Sequence, residues 1–459
     1  MIPLTLGEVA AITGGALYDV PDTSARVTGI PACDSRQVTP GGIFVAVRGA
    51  RADGHDFAAA AFAARASCVL ASRRVNGPAV VVPDVTAALG ALARHVLSRA
   101  INTTVIALTG SAGKTTVKDM LRHVLSQHGP TVASPGSFNT EIGLPLTVLQ
   151  ADESTRYLVL EMGARHIGDI RYLTELTPPQ IGIVLNIGSA HIGEFGSREA
   201  ITQAKAELVE ALPDASRAGV AILNADDPLV AAMAARTTAR IISYGTGQAN
   251  VRATAISIND GRANFTLHTP RGSAPVNLRH LGVHQVHNGL AVAAAAHSVG
   301  IATMQIAAAL STAEPSPGRL QIIHLPDNIT VINDAFNANP ESMTAGLRSF
   351  ADYSRNRRKV AVLGEMRELG PAATTAHNAI GKLVAELGIQ LLITVGHGHA
   401  DELARAAQSA TTPPLIRTAD TPETLVAKLP RLLKPDDVVF IKASRSVGLE
   451  HFAETLIST

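Results

Sequence analysis

Apolar residues along this chain form short β-branched runs that alternate with longer stretches of helical periodicity. In the first hundred residues, β-like runs lie at 43–47 and 79–82, with a helical run at 56–66. Four buried-strand candidates follow, at 103–109, 157–161, 181–186 and 220–224, each leading into turn residues and a helical pattern. This alternation predicts a mostly parallel sheet with helices on both faces.

The pattern changes after residue 250. Polar/apolar alternation between 251 and 280 surrounds Asn259-Asp260-Gly261, which predicts a β-hairpin, and a helix at roughly 287–299 follows. Residues 314–318 contain two prolines and a glycine, which end any helix and predict a linker. Beyond it, strand candidates at 329–334, 359–363, 391–395 and 438–441 alternate with helices, as in a doubly wound unit. We predict three α/β domains, at residues 1–101, 102–314 and 315–459.

Composition narrows the class of protein. The 459 residues carry a formal net charge of +1, so there is no basic stripe of the kind that nucleic-acid binding requires. The apolar stretch at 57–70 is interrupted by Arg65, and the first residues lack a signal-peptide pattern. Cys33 and Cys68 are too few for a disulfide framework and fit a reducing compartment. We therefore expect a soluble, cytoplasmic protein without a membrane span.

A glycine-rich segment between the strand candidate at 103–109 and the following helix predicts a phosphate site. Its glycines let backbone N–H groups turn toward phosphate oxygens, while the helix N-terminus adds positive potential. Lys114 is placed to reach the outer phosphates and Thr115 to bind Mg²⁺. Leu108 replaces the first glycine of the full P-loop pattern, so the shorter TGSxGKT form remains, and a glycine-rich turn without a ligand is the alternative. The predicted ATP contacts in this loop are Gly110, Ser111, Ala112, Gly113, Lys114, Thr115 and Thr116.

Metal-ligand candidates lie nearby in the same domain. Glu161 ends one strand candidate and His191 follows the end of the next, at the sheet edge where ligands of such sheets bind. A carboxylate there is able to coordinate the Mg²⁺ that bridges ATP phosphates. A capping acid and a structural histidine would fit the same two positions. Lys205 lies on a helix whose pattern alone predicts a solvated surface lysine.

Together, these motifs resemble the Mur ligase family, ATP-dependent enzymes that build the peptidoglycan stem peptide. The resemblance implies that Thr115, Glu161, His191 and a carbamylated Lys205 hold Mg²⁺, with two ions expected. Reaction with CO₂ would turn the Lys205 ammonium, which repels Mg²⁺, into an anionic oxygen ligand. The resemblance also implies catalytic roles for Lys114, Glu161, His191 and Lys205, and further ATP contacts at Asn288, Arg319, Asp334 and Asn337.

The resemblance covers essentially the whole chain and implies a role for each domain. Residues 34–36, 40–46 and 53–57 look like the family's uridine-nucleotide-binding domain, with an ordinary loop as the alternative. The segment at 137–145 looks like a loop that faces the tripeptide, and 333–343 and 364–370 are similar to motifs of the member that adds D-alanyl-D-alanine. The implied substrate contacts are Ser35, Arg36, Asn139, Thr140, Ser444 and Arg445.

Four positions depart from the family pattern. Phe336 stands where tyrosine is usual, which removes a hydroxyl able to touch the nucleotide. Thr140 stands where asparagine is common, and Ala443 and Ser446 replace glycines.

The implied architecture is a central P-loop ATPase domain with a parallel sheet, flanked by a UDP-sugar-binding α/β domain and a C-terminal Rossmann-like domain. The implied reaction joins UDP-MurNAc-tripeptide to D-Ala-D-Ala through an acyl phosphate. We expect the protein to be a monomer. Alternatives are another ligase of the family, a folylpolyglutamate synthase-like ligase, and a P-loop binding module without catalysis. The diamino-acid-adding member usually carries a DNPR motif that this chain lacks, and a folylpolyglutamate synthase would share only the central domain.

Overall fold

The computed structural model describes residues 1–49, 52–426 and 428–458, which form three α/β units. The sheets of these units fall within the three predicted segments, while the exact domain boundaries stay a prediction. Among the described residues, no helix is both long and apolar enough to span a bilayer.

The first unit is a small mixed α/β layer. Its elements are β1 (Leu4–Thr5), α1 (Leu6–Thr13), β2 (Ala16–Tyr18), β3 (Arg26–Val27), β4 (Ile43–Val45), α2 (Ala58–Ala63), β5 (Cys68–Ala71), β6 (Ala79–Val81) and α3 (Val85–Arg99). The described strands pair in the order β2-β6-β5-β4, with β1 and β3 as a separate pair. The helix predicted at 56–66 is shorter than expected, because Gly54–Phe57 forms a 3₁₀ turn capped by Asp53 and α2 begins only at Ala58.

The second unit holds the large sheet. Its elements are β7 (Thr104–Thr109), α4 (Lys114–Ser126), β8 (Thr131–Ala133), α5 (Gly143–Val148), β9 (Tyr157–Glu161), α6 (Asp169–Leu176), β10 (Ile181–Val184), α7 (Ile192–Phe195), α8 (Arg198–Glu210), β11 (Val220–Asn224), α9 (Pro228–Ala231), β12 (Arg240–Gly245), β13 (Val251–Asn259), β14 (Arg262–Thr269), β15 (Gly272–Leu281), α10 (Gln285–Ser298) and α11 (Thr303–Thr312). The described strands run in the order β15-β14-β13-β12-β11-β10-β7-β9-β8. Pairing is parallel from β8 to β13 and antiparallel beyond it, which confirms the predicted mostly parallel sheet.

The predicted hairpin is confirmed between β13 and β14. Asp260 and Gly261 both have positive φ, 48° and 71°, which matches the right-handed twist of the flanking strands. The helix predicted at 287–299 begins slightly earlier, at Gln285, and its alanine-rich face is buried against the sheet. Small side chains there let α10 lie close to α4, so the phosphate-loop helix is packed from behind.

The third unit is a second doubly wound layer, as predicted. Its elements are β16 (Gln321–His324), β17 (Thr330–Asn333), α12 (Pro340–Tyr353), β18 (Lys359–Gly364), α13 (Ala373–Glu386), β19 (Leu391–Val395), α14 (His399–Gln408), β20 (Leu415–Ala419), α15 (Pro422–Val426), β21 (Val438–Lys442) and α16 (Leu449–Ser458). The described strands run in the order β16-β17-β21-β18-β19-β20, parallel except for the edge strand β16. Apolar clusters cover both faces of this sheet.

The first and second units share one apolar core. Residues from α1 and α3 pack in the same cluster as residues from β7, α5 and α6. Gly90 in α3 makes this approach close, because a Cβ atom there would come within 2.8 Å of the Leu176 side chain. The third unit follows the proline-containing linker. It meets the second unit through Leu281 of β15, which packs in the third unit's core, and through the polar contacts described next.

Candidate functional site

A cleft of about 1570 Å³ lies between the second and third units. The carboxyl ends of β7, β9 and β10 open onto it from one side, as expected for parallel sheets. Loops of the third unit form the opposite wall. The cleft brings together most of the predicted residues: Ser111, Ala112, Gly113, Lys114, Thr115, Thr116, Asn139, Thr140, Glu161, His191, Lys205, Asn288, Arg319, Asp334, Asn337, Ser444 and Arg445.

The phosphate loop runs from the end of β7 into α4. Gly113 has a φ of 84°, which favours glycine, and a Cβ atom there would come within 2.7 Å of Asn288 Oδ1 and displace that side chain. Lys114 Nζ donates a hydrogen bond to Gly110 O at 2.7 Å, folding the lysine back over the loop. Burial lowers the pKa of Lys114, against the opposing effect of Glu161. Gly110 shapes the loop without lining the cleft.

Asn186, which the sequence reasoning did not assign to the site, holds the phosphate loop from the next strand. Its Oδ1 accepts from Ala112 N–H at 2.9 Å, and its Nδ2 donates to Ala112 O at 3.1 Å. Ser111 Oγ accepts from Gly188 N–H at 2.9 Å. These contacts fix the loop without using the N–H groups of α4. A polar residue just past a buried strand was the available signal.

Glu161 connects the two flanks of the cleft. Its Oε2 accepts from Thr115 Oγ1 at 2.9 Å, and its Oε1 accepts from Asn139 Nδ2 at 2.8 Å. Arg319, which follows the linker, donates from Nη2 to the same Thr115 hydroxyl at 2.8 Å. The predicted proximity of Thr115, Glu161 and Arg319 is therefore present in the fold.

His191 lies at the boundary between the second and third units. Its Nδ1 hydrogen-bonds with Glu368 Oε2, and Glu368 Oε1 accepts from Arg165 at 3.2 Å. Burial and Lys114 lower the pKa of His191, while Glu368 opposes this effect. Glu368 was visible only as part of the segment at 364–370 and was not assigned a role from sequence.

Lys205 is buried, unlike the solvated lysine that the helix pattern alone predicts. The helix pattern of α8 predicts a solvated lysine, but Lys205 is only 4% exposed and lines the cleft. It forms no hydrogen bond with any residue that the structure describes. Burial, with a smaller contribution from Lys114, holds its pKa well below the usual lysine value. The helix pattern alone misplaces this lysine because α8 turns this face toward the ends of the parallel strands rather than toward solvent. The metal-ligand role that the resemblance implies for Lys205 stays a prediction.

The third unit contributes a cluster of cations. The guanidinium of Arg319 lies 4.0 Å from the centre of the Phe336 ring and that of Arg445 lies 5.1 Å from it. Lys442 Nζ donates to Asp334 Oδ2 at 2.5 Å and to Asn337 O at 2.9 Å. Asp334 is therefore engaged with Lys442.

Besides Asn186, four further cleft residues near the phosphate loop were missed by the sequence reasoning. Asp226 Oδ2 pairs with His287 Nε2 at 2.9 Å and accepts from Thr246 N–H at 2.6 Å. Asn224 and Tyr244 line the same part of the cleft. They lie at strand ends or on α10, a position that only the folded sheet reveals.

The predicted UDP-sugar contacts lie apart from this cleft. Ser35 and Arg36 belong to a 3₁₀ turn, Ser35–Gln37, in the first unit. Arg36 is exposed and pairs with Asp34 at 2.7 Å. Neither residue lines the cleft, and their assignment stays a prediction.

Family models match three parts of the chain. The Mur ligase middle domain matches residues 108–296, the Mur ligase glutamate ligase domain matches 318–445, and the Mur ligase family catalytic domain matches 27–128.

Relatives match over the full length. UDP-N-acetylmuramoyl-tripeptide–D-alanyl-D-alanine ligase of Mycobacterium tuberculosis strain H37Rv is 44% identical, with 100% of this chain and 98% of that protein covered. The enzyme of the same name from Escherichia coli K12 is 36% identical, with 99% of each covered.

Solved structures agree with the fold. A crystal structure of MurF from Acinetobacter baumannii is 33% identical with a TM-score of 0.86, covering 100% of this chain and 99% of that one. MurF ligase from Thermotoga maritima in complex with ADP is 28% identical with a TM-score of 0.79, covering 94% and 98%. The chain belongs to the Mur ligase family.

Proposed function

We propose that this protein is an ATP-dependent ligase that joins D-alanyl-D-alanine to UDP-N-acetylmuramoyl-tripeptide in peptidoglycan precursor synthesis. The observation that carries the proposal is the junction at Thr115, where a phosphate-loop hydroxyl contacts Glu161 of the second unit and Arg319 of the third. Similarity to D-alanyl-D-alanine ligases over the whole chain supports the choice of substrates.

The reaction has to activate a carboxylate at neutral pH. The oxide that a free carboxylate would have to lose is a poor leaving group. The tripeptide carboxylate therefore first attacks the γ-phosphorus of ATP, and ADP leaves. The D-Ala-D-Ala amine then attacks the carbonyl carbon of this acyl phosphate, and inorganic phosphate leaves as the amine loses a proton. Lys114 and Arg319 supply positive charge where the phosphoryl group transfers.

The side chains around the phosphate loop fit Mg²⁺. Thr115 and Glu161 offer the oxygen ligands that this ion prefers, and His191 lies on the same cleft. Within the described residues there is no cluster of three His, Cys, Asp or Glu side chains able to hold a metal by themselves. A further anionic ligand from the protein would add to the oxygens that Thr115, Glu161 and the ATP phosphates supply. Bound Mg²⁺ would offset the repulsion between the carboxylate and the γ-phosphate.

Lys205 is the proposed source of that ligand, as a carbamate. A buried ammonium without a hydrogen-bond partner is costly, and the lowered pKa favours the neutral amine. The neutral amine attacks the carbon of CO₂ and loses one proton, leaving an N-carboxylate with two acceptor oxygens. Such a group would suit both the burial of Lys205 and a divalent cation.

Domain closure supplies the remaining step of the proposal. Arg319 contacts the phosphate loop from beyond the linker, so the site needs both units together. Movement of the third unit away from the second and back would admit the substrates and then exclude water from the acyl phosphate. The first unit would hold the UDP-sugar at Ser35 and Arg36. All these residues belong to one chain, and we propose a monomer that acts in the cytoplasm, where its nucleotide substrates are made.

The test measures phosphate release with purified protein, ATP and UDP-MurNAc-tripeptide, with and without D-Ala-D-Ala. Sustained release is expected only with all three substrates, and mass spectrometry should identify the pentapeptide product. A matched carboxylate substrate, UDP-MurNAc-dipeptide, should give little product. Full-rate phosphate release from ATP alone would contradict the ligase proposal.

A further inference from the structure

Helix α4 carries a buried lysine that the proposed reaction does not use. Lys118 is 1% exposed, one turn beyond Lys114. Its Nζ donates to Ser134 O at 2.5 Å and to Gly136 O at 2.8 Å, and lies 3.0 Å from Asp119 Oδ1. An ammonium has three protons to donate, and here it has three oxygen partners. The buried charge is therefore matched by a dedicated set of acceptors.

Two of those acceptors belong to the segment that leads into the cleft. We define residues 134–141 as the substrate loop, because Ser137, Asn139 and Thr140 line the cleft. Gly136 has a φ of 53°, where the chain turns toward the cleft. Lys118 therefore fixes the backbone just before the part of the loop that faces the ligands.

The far end of the substrate loop is attached to the metal-ligand candidate. Asn139 Nδ2 donates to Glu161 Oε1 at 2.8 Å, and Asn139 O accepts from Gly163 N–H at 2.9 Å. A displacement of the loop at residues 134–136 would be transmitted within a few residues to the Glu161 carboxylate.

Asp119, the acidic partner of Lys118, connects α4 to the domain linker. Asp119 Oδ2 accepts from Ser316 Oγ at 2.5 Å, and Ser316 lies three residues before Arg319. Of these two adjacent residues of α4, Lys118 contacts the substrate loop and Asp119 contacts the linker that leads to Arg319, which in turn contacts Thr115.

We propose that Lys118 and Asp119 are positioning residues that set the substrate loop and the linker in register with the phosphate loop. They act through Asn139 and Ser316 rather than by touching the reacting groups. An apolar residue at position 118 would fill the space against the core but would not bind the carbonyls of Ser134 and Gly136. The identity of the bound substrate rests on the proposed function, while the placement of the loop does not.

The test compares Lys118→Met with Lys359→Met in the full-length protein. Lys359 is a matched control because its Nζ also donates to a backbone carbonyl, Leu387 O at 2.9 Å, but far along the third unit. Hydrogen–deuterium exchange of peptides spanning 134–141 should accelerate about tenfold or more in Lys118→Met, the scale of losing hydrogen bonds from a charged donor. The flanking strands β7 and β9 should keep their protection, and Lys359→Met should leave the loop unchanged.

Kinetics provide the second readout. In Lys118→Met, the KM for UDP-MurNAc-tripeptide should rise about tenfold, with the KM for ATP changed by less than about threefold. Combining Lys118→Met with Asn139→Ala should add little to the larger single effect, because both act through the same loop. Additive effects in this pair would overturn the proposal.

If Lys118→Met does not fold, the milder variant Asp119→Asn tests the same proposal. Asp119→Asn removes the charge beside the ammonium, and should accelerate exchange in the same loop to a smaller extent. Exchange that increases evenly over α4 and the sheet, or a loop that does not change, would show a merely structural role and overturn the inference. If wild-type protein fails to turn over these substrates, the proposed function is wrong, while the exchange measurement still decides the role of Lys118.

Discussion

His191 and Glu368 hydrogen-bond across the boundary between the second and third units, and both have left-handed backbone conformations. Their φ angles are 61° and 63°, although neither is glycine. Nearby, a Cβ atom on Gly193 would come within 2.7 Å of Gly370 N, so the two backbones approach as closely as glycine permits. Left-handed conformations cost a non-glycine residue about 1 kcal/mol or more, and persist where the surroundings require them. This strained pair supports a functional role for the contact.

We predict that Glu368→Ala weakens the response to Mg²⁺. Without its carboxylate partner, His191 loses the contact that orients the ring, which in metal sites typically costs about ten- to hundredfold in metal affinity or activity. Turnover measured against Mg²⁺ concentration should show a correspondingly higher half-activating concentration. Glu365→Ala is the matched control, because Glu365 lies in the same loop but pairs with Arg367 instead. Equal Mg²⁺ responses in the two variants would contradict the role given to Glu368.

The second prediction concerns Phe336, which stands where the family usually has tyrosine. The structure shows its ring, rather than a hydroxyl, against Arg319 and Arg445. Phe336→Leu should raise the KM for ATP roughly two- to thirtyfold, because the cation–π contacts amount to about 0.5–2 kcal/mol. Phe336→Tyr keeps the ring and should remain within a small factor of wild type. A Leu variant with a normal KM for ATP would show that the ring does not orient Arg319.

The strands that sequence predicts best are the buried, β-branched ones. Those at 157–161, 220–224 and 391–395 have the predicted bounds, because runs buried on both faces carry a strong signal. Strands β5, β12 and β20 were not predicted. Cys68–Ala71 is short and follows a helical run, and Arg240–Gly245 starts with exposed residues. Their strand conformation depends on neighbours in the sheet, which local sequence does not specify.

The residues of the site also differ in how well the sequence predicts their positions. The phosphate loop follows from local sequence, because glycine, lysine and threonine stand in fixed positions between a strand and a helix. The His191–Glu368 contact joins residues 177 positions apart, and only the meeting of two units reveals it. Lys205 is buried because α8 packs closely on β10, where Gly182 leaves room for Leu208 and Leu212.

The third prediction is that Lys114→Ala lowers kcat about a hundred- to thousandfold, the scale of removing one preorganised charge from a transferring group. The fold should remain intact, since among the described residues the Lys114 ammonium hydrogen-bonds to Gly110 O within its own loop. Single-turnover phosphate transfer and thermal unfolding are the measurements. Lys382→Ala, an exposed lysine of α13, provides the control and should have normal kcat. Near-normal kcat in the Lys114 variant would mean that this loop is not where the phosphoryl group transfers.

The fourth prediction tests the proposed carbamate on Lys205. Lys205→Ala should lose most turnover, because an anionic oxygen disappears from the cleft beside two highly charged substrates. Lys205→Arg should also lose most turnover, since a guanidinium keeps its positive charge and does not form a carbamate with CO₂. If Lys205 instead served as a cation toward phosphate, the arginine variant would retain substantial activity.

Chemical rescue separates loss of the anion from loss of packing. In Lys205→Ala, the shortened side chain leaves space that a small carboxylate such as acetate should enter, and acetate should restore part of the turnover. In Lys205→Arg, the arginine side chain fills that space, so acetate should restore little turnover. The mass of the peptide carrying Lys205, measured under conditions that preserve CO₂ adducts, gives a readout independent of activity. Wild-type protein should show the adduct, and its occupancy should fall when CO₂ is removed from the buffer. An active arginine variant together with an unmodified peptide would refute the carbamate but leave the ligase proposal standing, because the Thr115 junction does not depend on Lys205.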